Sequence, residues 1–174
     1  ERNPTSLLWW MRRIIAVHSD PGDTVLDVGG YVGDTAVLFH SLGARKIIIY
    51  EPVEEHIPII RKNVELNHID AEILNLGVGV EKGTMEIPYE KLGCGFGRET
   101  VGQGAKKKTI VLQDVRSVIL GSHADIAKFN CEGCEEAILP LDNETIRQIP
   151  VYVIETHGDD LDRRLLERFR EAGF

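Results

Sequence analysis

The stretch TVLDVGGYVG, residues 24–33, decides the fold of this chain. Thr24 to Val28 is apolar apart from one hydroxyl and one acid, which predicts a short buried strand. Three glycines then fall within residues 29–33, and glycine lets the backbone turn tightly. Asp34 to Leu42 has the composition of a short helix that ends at Gly43. A strand that passes through a glycine turn into a helix is the first unit of a parallel α/β sheet.

The same alternation of strand and helix continues along the chain. Further strands are predicted at Lys46 to Tyr50, Glu72 to Leu76, Ala124 to Phe129 and Val151 to Glu155. Helices are predicted at Thr5 to Val17 (within an N-terminal segment 1–20), Val53 to Asn67, Glu135 to Leu139 and Leu161 to Ala172, with a kink or a late start at Pro58. Strands that are apolar on both faces predict a mainly parallel, Rossmann-like sheet covered by helices on both sides, in a single domain spanning 1–174.

Residues 77–112 break this pattern. Thr84 to Ile87 and Thr109 to Leu112 are predicted as β-strands, and the segment 93–104 between them is rich in glycine. The segment is too long for an ordinary connection between elements. Two interpretations remain open here, a mobile β insertion or a lid that covers a substrate.

Composition excludes several classes of protein. The net charge of −8 disfavours nucleic-acid binding, and the run Lys106 to Lys108 is better explained as a solvated strand entrance. No apolar stretch is long enough to span a membrane. The odd number of cysteines and the lack of a signal-peptide pattern predict a cytoplasmic protein without a disulfide framework. The single pair Cys131 and Cys134 predicts neither a metal site nor redox chemistry.

The glycine turn is a candidate cofactor site. The dinucleotide pattern G-x-G-x-x-G fails because Tyr31 and Asp34 stand where glycine is required, so a nicotinamide oxidoreductase is disfavoured. An acid followed by two spaced glycines, here Asp27, Gly29 and Gly33, is the pattern typical of S-adenosylmethionine (SAM) sites. In such sites the acid lies near the amino-acid end of the cofactor. Gly30 and Tyr31, which belong to the same turn, are also predicted to contact it.

A second cofactor element follows the second strand. Glu51 stands 22 residues after Gly29, close to the spacing of a ribose-binding acid. Its carboxylate can accept hydrogen bonds from both ribose hydroxyls. Pro52 would then line the adenine slot. The glycine turn and Glu51 together predict a nucleotide-like cofactor.

The carboxyl ends of the fourth and fifth strands carry polar residues that should lie beside the transferred methyl group, since ligands bind at this edge of parallel sheets. Methylation of a hydroxyl needs a base to take its proton. His157 is a candidate because histidine titrates near neutral pH. Glu132 and Glu155 are alternatives, or they hold the substrate or cofactor. Asn130 is predicted to contact the cofactor.

These motifs resemble the FkbM-type methyltransferase family. Its turn D-V-G-A-N-x-G is matched by Asp27 to Gly33, and its acid-Pro pair by Glu51-Pro52. Its element K-I-D-V-E-G-A-E is matched by Lys128 to Glu135, its E-x-H by Glu155 to His157, and its Leu-Asp pair loosely by Gln113-Asp114. The resemblance implies a class I methyltransferase fold and SAM-dependent O-methylation of a small molecule or glycan.

Three departures from the family pattern qualify that expectation. Tyr31 replaces the usual Asn, and Asn130 replaces an Asp, so the side chain at position 130 cannot act as a base. A non-catalytic binding module of the same fold is therefore the alternative. The chain also stops before the last two strands of such folds, which predicts a truncated chain. An open sheet edge makes a homodimer plausible.

Overall fold

The computed structural model describes residues 18–89, 106–156 and 158–174. The predicted N-terminal helix Thr5 to Val17, the glycine-rich segment 93–104 and His157 lie outside these residues. Among the described residues, no helix combines the length and the apolar character needed to cross a bilayer.

The described residues contain eight strands and five α-helices. The strands are β1 Thr24–Val28, β2 Lys46–Tyr50, β3 Ala71–Leu74, β4 Gly77–Gly79, β5 Gly83–Tyr89, β6 Lys106–Asp114, β7 Ile126–Phe129 and β8 Val151–Ile154. The helices are α1 Asp34–Ser41, α2 Ile57–Leu66, α3 Val115–Ser122, α4 Asn143–Ile146 and α5 Asp159–Ala172, with 3-10 helices at Glu54–His56 and Cys134–Ile138.

The main sheet has the strand order β3-β2-β1-β7-β8, and every neighbouring pair is parallel. Alternate residues of a strand face opposite sides of a sheet. Accordingly, Leu26 packs in one apolar cluster with residues of α3 and α5, whereas Val25 packs in a second cluster with residues of α1 and α2. The prediction of a parallel sheet with helices on both faces is confirmed.

A smaller three-stranded sheet forms the β insertion. Strand β6 pairs in parallel with β4 and antiparallel with β5. The predicted strands Thr84 to Ile87 and Thr109 to Leu112 are both present and extend further at each end. The sequence-based interpretation missed β4, which has only three residues.

Several predicted boundaries need correction. The helix predicted from Val53 starts late. It begins as a 3-10 helix at Glu54–His56 and becomes α-helical at Ile57. Pro58 lies in the first turn of the α-helix, where its missing N–H leaves no hydrogen bond unmade. The fourth predicted strand begins at Ile126 rather than Ala124. Helices α3 and α4 were not predicted, although Asp114 and Asp142 cap them by accepting from backbone N–H groups.

Candidate functional site

The glycine turn is held against both neighbouring strands. The N–H groups of Gly29 and Gly30 donate to the Tyr50 carbonyl, at 2.9 and 3.1 Å. A Cβ at Gly29 would lie 1.9 Å from the Asn130 carbonyl oxygen, and one at Gly30 would lie 2.3 Å from Ile49 Cγ2. The packing of the turn between β2 and β7 therefore requires glycine at both positions, whether or not a ligand binds.

The second half of the turn leads into α1. Tyr31 and Gly33 both have left-handed backbones, with φ of 47° and 81°. Asn63 of α2 donates its side-chain amide to the Val32 carbonyl at 2.7 Å, which fixes the turn from outside. Gly33 occupies the N-cap position of α1, and no side chain caps that end. The N-cap residue thus supplies no side-chain acceptor, and the Thr35 N–H in the first turn donates instead to the Asp34 side chain at 3.0 Å.

Glu51 lies directly beside the glycine turn and is 4% exposed. Its Oε2 accepts from the Tyr31 N–H at 2.8 Å, and its Oε1 accepts from the Val53 N–H at 2.9 Å. The buried His56 places Nδ1 3.1 Å from Oε1, and its ring meets the Tyr31 ring edge-on with centroids 4.8 Å apart. The two elements predicted to share a ligand are thus joined by a hydrogen bond.

The contacts of Glu51 limit how it can hold a ribose. A carboxylate oxygen has two acceptor positions. Both positions of Oε1 are used, by Val53 and His56, whereas Oε2 uses one, for Tyr31. Among the described contacts, Oε2 therefore retains one acceptor position, enough for one ribose hydroxyl. The predicted grip on both hydroxyls requires one of the three present contacts to give way.

Asp27 lies beneath the turn and is fully buried. Its Oδ2 accepts from the Thr35 hydroxyl at 2.6 Å. Lys128 Nζ lies 2.9 Å from Oδ1, close enough for an ion pair, but the angles at these two atoms are not those of a hydrogen bond. Lys128 also donates to the Gly29 carbonyl at 2.7 Å. Asp27 therefore supports the turn from behind, and its place near the amino-acid end of a cofactor stays a prediction.

Lys128 is a site residue whose role the sequence did not reveal. It faces Asp27 directly in the β1–β7 register and is 2% exposed. A buried lysine needs a charge partner, since desolvation of an ammonium is costly. The signal was a lysine within an otherwise apolar strand, but a partner on another strand cannot be identified before the register is known.

At the ends of β7 and β8, Asn130 and Glu155 lie side by side. Asn130 Nδ2 donates to Glu155 Oε2 at 2.5 Å, and the Glu155 N–H donates to the Phe129 carbonyl at 2.9 Å. Glu132 is partly exposed in the next loop, with a left-handed backbone of φ 58°. Glu155 and Asn130 are thus brought together at the predicted edge, and Glu132 lies two residues after Asn130 in the loop that follows β7.

The loop after β7 encloses a second buried carboxylate. Glu135 is fully buried, and its two oxygens accept from the N–H groups of Cys131 and Gly133, both at 2.7 Å. Cys131 and Cys134 form a disulfide, with Cα atoms 5.5 Å apart. The sequence predicted a protein without a disulfide framework, and this bonded pair corrects that expectation. An odd total leaves any two close cysteines free to bond, and the tight turn brings these two within range.

Tyr50 flanks the turn, and burial, followed by the charges of Glu72 and Asp114, raises the pKa of its phenol. The phenol therefore stays protonated at neutral pH and does not supply a base. Within residues 18–89, 106–156 and 158–174, no three His, Cys, Asp or Glu side chains are grouped to hold a metal ion.

Comparisons with known proteins place the fold. No protein-family model and no curated protein sequence matches the chain. Solved structures do match. The fold is that of a Rossmann-like methyltransferase.

Three of these neighbours indicate the extent of the likeness. Precorrin 8w decarboxylase from Methanobacterium thermoautotrophicum is 15% identical with a TM-score of 0.57, over 99% of this chain and 75% of its own. Precorrin-6y C5,15-methyltransferase from Geobacter metallireducens is 13% identical with a TM-score of 0.56, over 97% and 72%. An rRNA methylase from Streptococcus thermophilus is 12% identical with a TM-score of 0.56, over 99% and 82%. At such identities the likeness concerns the fold, and the FkbM resemblance stays a prediction.

Proposed function

We propose that this chain binds SAM at the carboxyl ends of β1 and β2 and transfers its methyl group to a hydroxyl of a small molecule or glycan, as the FkbM resemblance implies. The observation that carries the proposal is the hydrogen bond from the Tyr31 N–H to Glu51 Oε2. It brings the glycine turn and the acid after strand two to one place, at the edge where open parallel sheets bind ligands.

The residues present fit an adenosyl ligand on one side. Glu51 Oε2 keeps one acceptor position for a ribose hydroxyl, and the partly exposed Pro52 follows it as a wall for the adenine. The buried pair of Asp27 and Lys128 holds the Gly29 carbonyl, so the turn is preorganised before a ligand arrives. SAM, when bound, supplies a methyl group activated by its sulfonium charge.

The protein's own part in the transfer is orientation and proton removal. A hydroxyl acceptor must be aligned with the methyl group, and its proton must pass to a base. Glu155, Glu132 and His157 are the candidate bases. Asn130 cannot take a proton, but its amide donates to Glu155 Oε2 and so orients this candidate base.

The charges of the described surface support a small acceptor rather than a nucleic acid. Two of the lysines at the start of β6 are already paired, Lys107 with Glu86 at 3.0 Å and Lys108 with Glu55. Together with a net charge of −8, this leaves the run with little attraction for phosphates.

Calorimetry of the full-length chain with SAM and with S-adenosylhomocysteine tests the proposal. Glu51→Gln should weaken binding at least about tenfold, since a hydrogen bond to a charged group contributes about 1.5–3 kcal/mol. Glu72→Gln, the same change on an exposed side chain of the neighbouring strand, should leave affinity unchanged. An absence of heat at millimolar ligand would exclude the proposal.

A non-catalytic binding module is the second candidate, and Asn130 and Tyr31, which depart from the family pattern, favour it, because an amide at position 130 cannot take a proton. Such a module would bind the cofactor or its product, or neither, without turnover. Incubation with methyl-labelled SAM and a panel of hydroxyl acceptors separates the two candidates. Labelled product would eliminate the non-catalytic module.

A further inference from the structure

The disulfide of Cys131 and Cys134 lies in the loop that touches the glycine turn. A Cβ on Gly29 would lie 3.1 Å from the Cys131 Cα as well as 1.9 Å from the Asn130 carbonyl oxygen, so the two backbones are in contact. All four residues of the loop, 131–134, are partly exposed. A disulfide in a partly exposed loop thus lies one contact away from the proposed cofactor site.

The loop is held in a conformation that the chain alone does not favour. Glu132 has φ of 58° and Gly133 has φ of 119°, and side chains other than glycine rarely adopt the left-handed region. Its described contacts include two anchors, the disulfide and the buried carboxylate of Glu135, which accepts from the Cys131 and Gly133 N–H groups. Removal of the disulfide leaves Glu135 as the remaining anchor among these contacts.

We propose that Cys131 and Cys134 are a redox-sensitive pair, and that reduction of their disulfide loosens the glycine turn. After reduction, the two sulfur atoms must separate to a non-bonded distance, by rotation of the side chains or by movement of the loop, and the loop loses its covalent closure. In the oxidised form, Glu135 Oε1 accepts from the Cys131 N–H and lies 3.3 Å from Cys131 Sγ. In the reduced form, the Cys131 thiol can donate to the same oxygen and compete with that N–H. Both changes reach Gly29 through the Asn130–Cys131 backbone.

The chemistry of the switch is thiol–disulfide exchange with a small dithiol or a dithiol protein as the reductant. One thiolate of the reductant attacks a sulfur of the Cys131–Cys134 bond, and the other sulfur leaves as a thiolate that takes up a proton. The second thiol of the reductant then breaks the mixed disulfide. Two electrons pass to the cysteines, and the reductant ends as a disulfide.

The consequence for ligand binding rests on the proposed function. If the turn binds SAM, reduction weakens that binding, because ordering a loosened turn costs conformational entropy. The effect on the turn itself does not depend on any ligand, so it is measured separately.

Hydrogen exchange on the full-length chain tests the effect on the turn. A Cys94→Ser background leaves Cys131 and Cys134 as the remaining cysteines. In the oxidised form, alkylation should label neither cysteine, and after dithiothreitol it should label both. Reduction should speed exchange of the Gly29 and Gly30 amides at least about fivefold, with amides of β3 unchanged.

A matched variant without the pair supplies the control. In the same background, Cys131→Ser with Cys134→Ser should exchange like the reduced protein and should not respond to dithiothreitol. Equal exchange of the glycine turn in the oxidised and reduced proteins would overturn the proposal, and so would labelling of both cysteines before reduction.

Calorimetry with SAM on the two forms then separates the two proposals. A several-fold weaker affinity after reduction supports both. Equal affinity with altered exchange refutes the link to binding. If neither form binds SAM, the proposed function fails, while hydrogen exchange still decides whether the pair controls the turn.

Discussion

Replacement of Lys128 by methionine removes the charge partner of a carboxylate that water does not reach. Asp27 is fully buried, and in the variant it keeps the Thr35 hydroxyl as its described hydrogen-bond donor. Loss of one member of a buried ion pair costs about 3–5 kcal/mol, and the Gly29 carbonyl also loses its side-chain donor, worth about 1–3 kcal/mol. The two losses share one side chain and overlap, so we expect the free energy of unfolding to fall by about 4 kcal/mol.

Urea unfolding followed by circular dichroism measures this change. The slope of the unfolding free energy against urea concentration should be the same in the variant and the parent protein, which shows that both expose the same surface on unfolding. Lys46→Met is the matched control, because Lys46 pairs with Glu72 at 3.1 Å with both side chains exposed. It should cost under about 1 kcal/mol. The double variant of Lys128→Met with Asp27→Asn should lose at least about 2 kcal/mol less than the sum of the single variants. Additive losses, or equal losses for the two lysines, would refute the reasoning.

Three further expectations follow from local geometry. Gly29→Ala should cost at least about 4 kcal/mol or prevent folding, since its Cβ would lie 1.9 Å from a backbone carbonyl. Gly133→Ala has a positive φ but open space around its Cβ, so thermal melting should report a loss of only about 1–3 kcal/mol, and a reversed order would contradict this account. The N–H of Thr145 is the main cause that lowers the pKa of Asp142 to about 2. The ionised Asp142 carboxylate should therefore stabilise the fold fully above about pH 4, and this stabilisation should be lost as the pH falls towards 2. An unshifted pKa for Asp142, measured by NMR of its carboxyl carbon, would disprove this.

Apolar runs with clear turn signals on both sides were predictable to the residue. Strands β1 and β2 begin and end where the sequence indicates, because polar or turn residues bound an otherwise buried run. Helix α3 was missed because it follows β6 with no glycine or proline between them. Its signals are present, since Asp114 accepts from the Ser117 N–H and the buried Val115, Val118 and Ile119 have helical spacing.

The site was predictable as a place but not as a set of contacts. The glycine turn follows β1 and Glu51 follows β2. Because these two strands are parallel neighbours, their carboxyl ends lie at the same edge of the sheet. That Glu51 is bound by His56 and two backbone N–H groups depends on where a 3-10 helix begins. The pairing of Asp27 with Lys128 likewise depends on strand register, which local sequence does not encode.

The antiparallel pairing of β5 with β6 has a practical consequence for how this fold can vary. Tyr89 and Lys106 are register partners, so the chain leaves and re-enters the smaller sheet at one point. Residues 90–105 can therefore be lengthened, shortened or exchanged for those of another protein without altering any strand pairing described above. Such chimaeras would leave the contacts described around Glu51 unchanged.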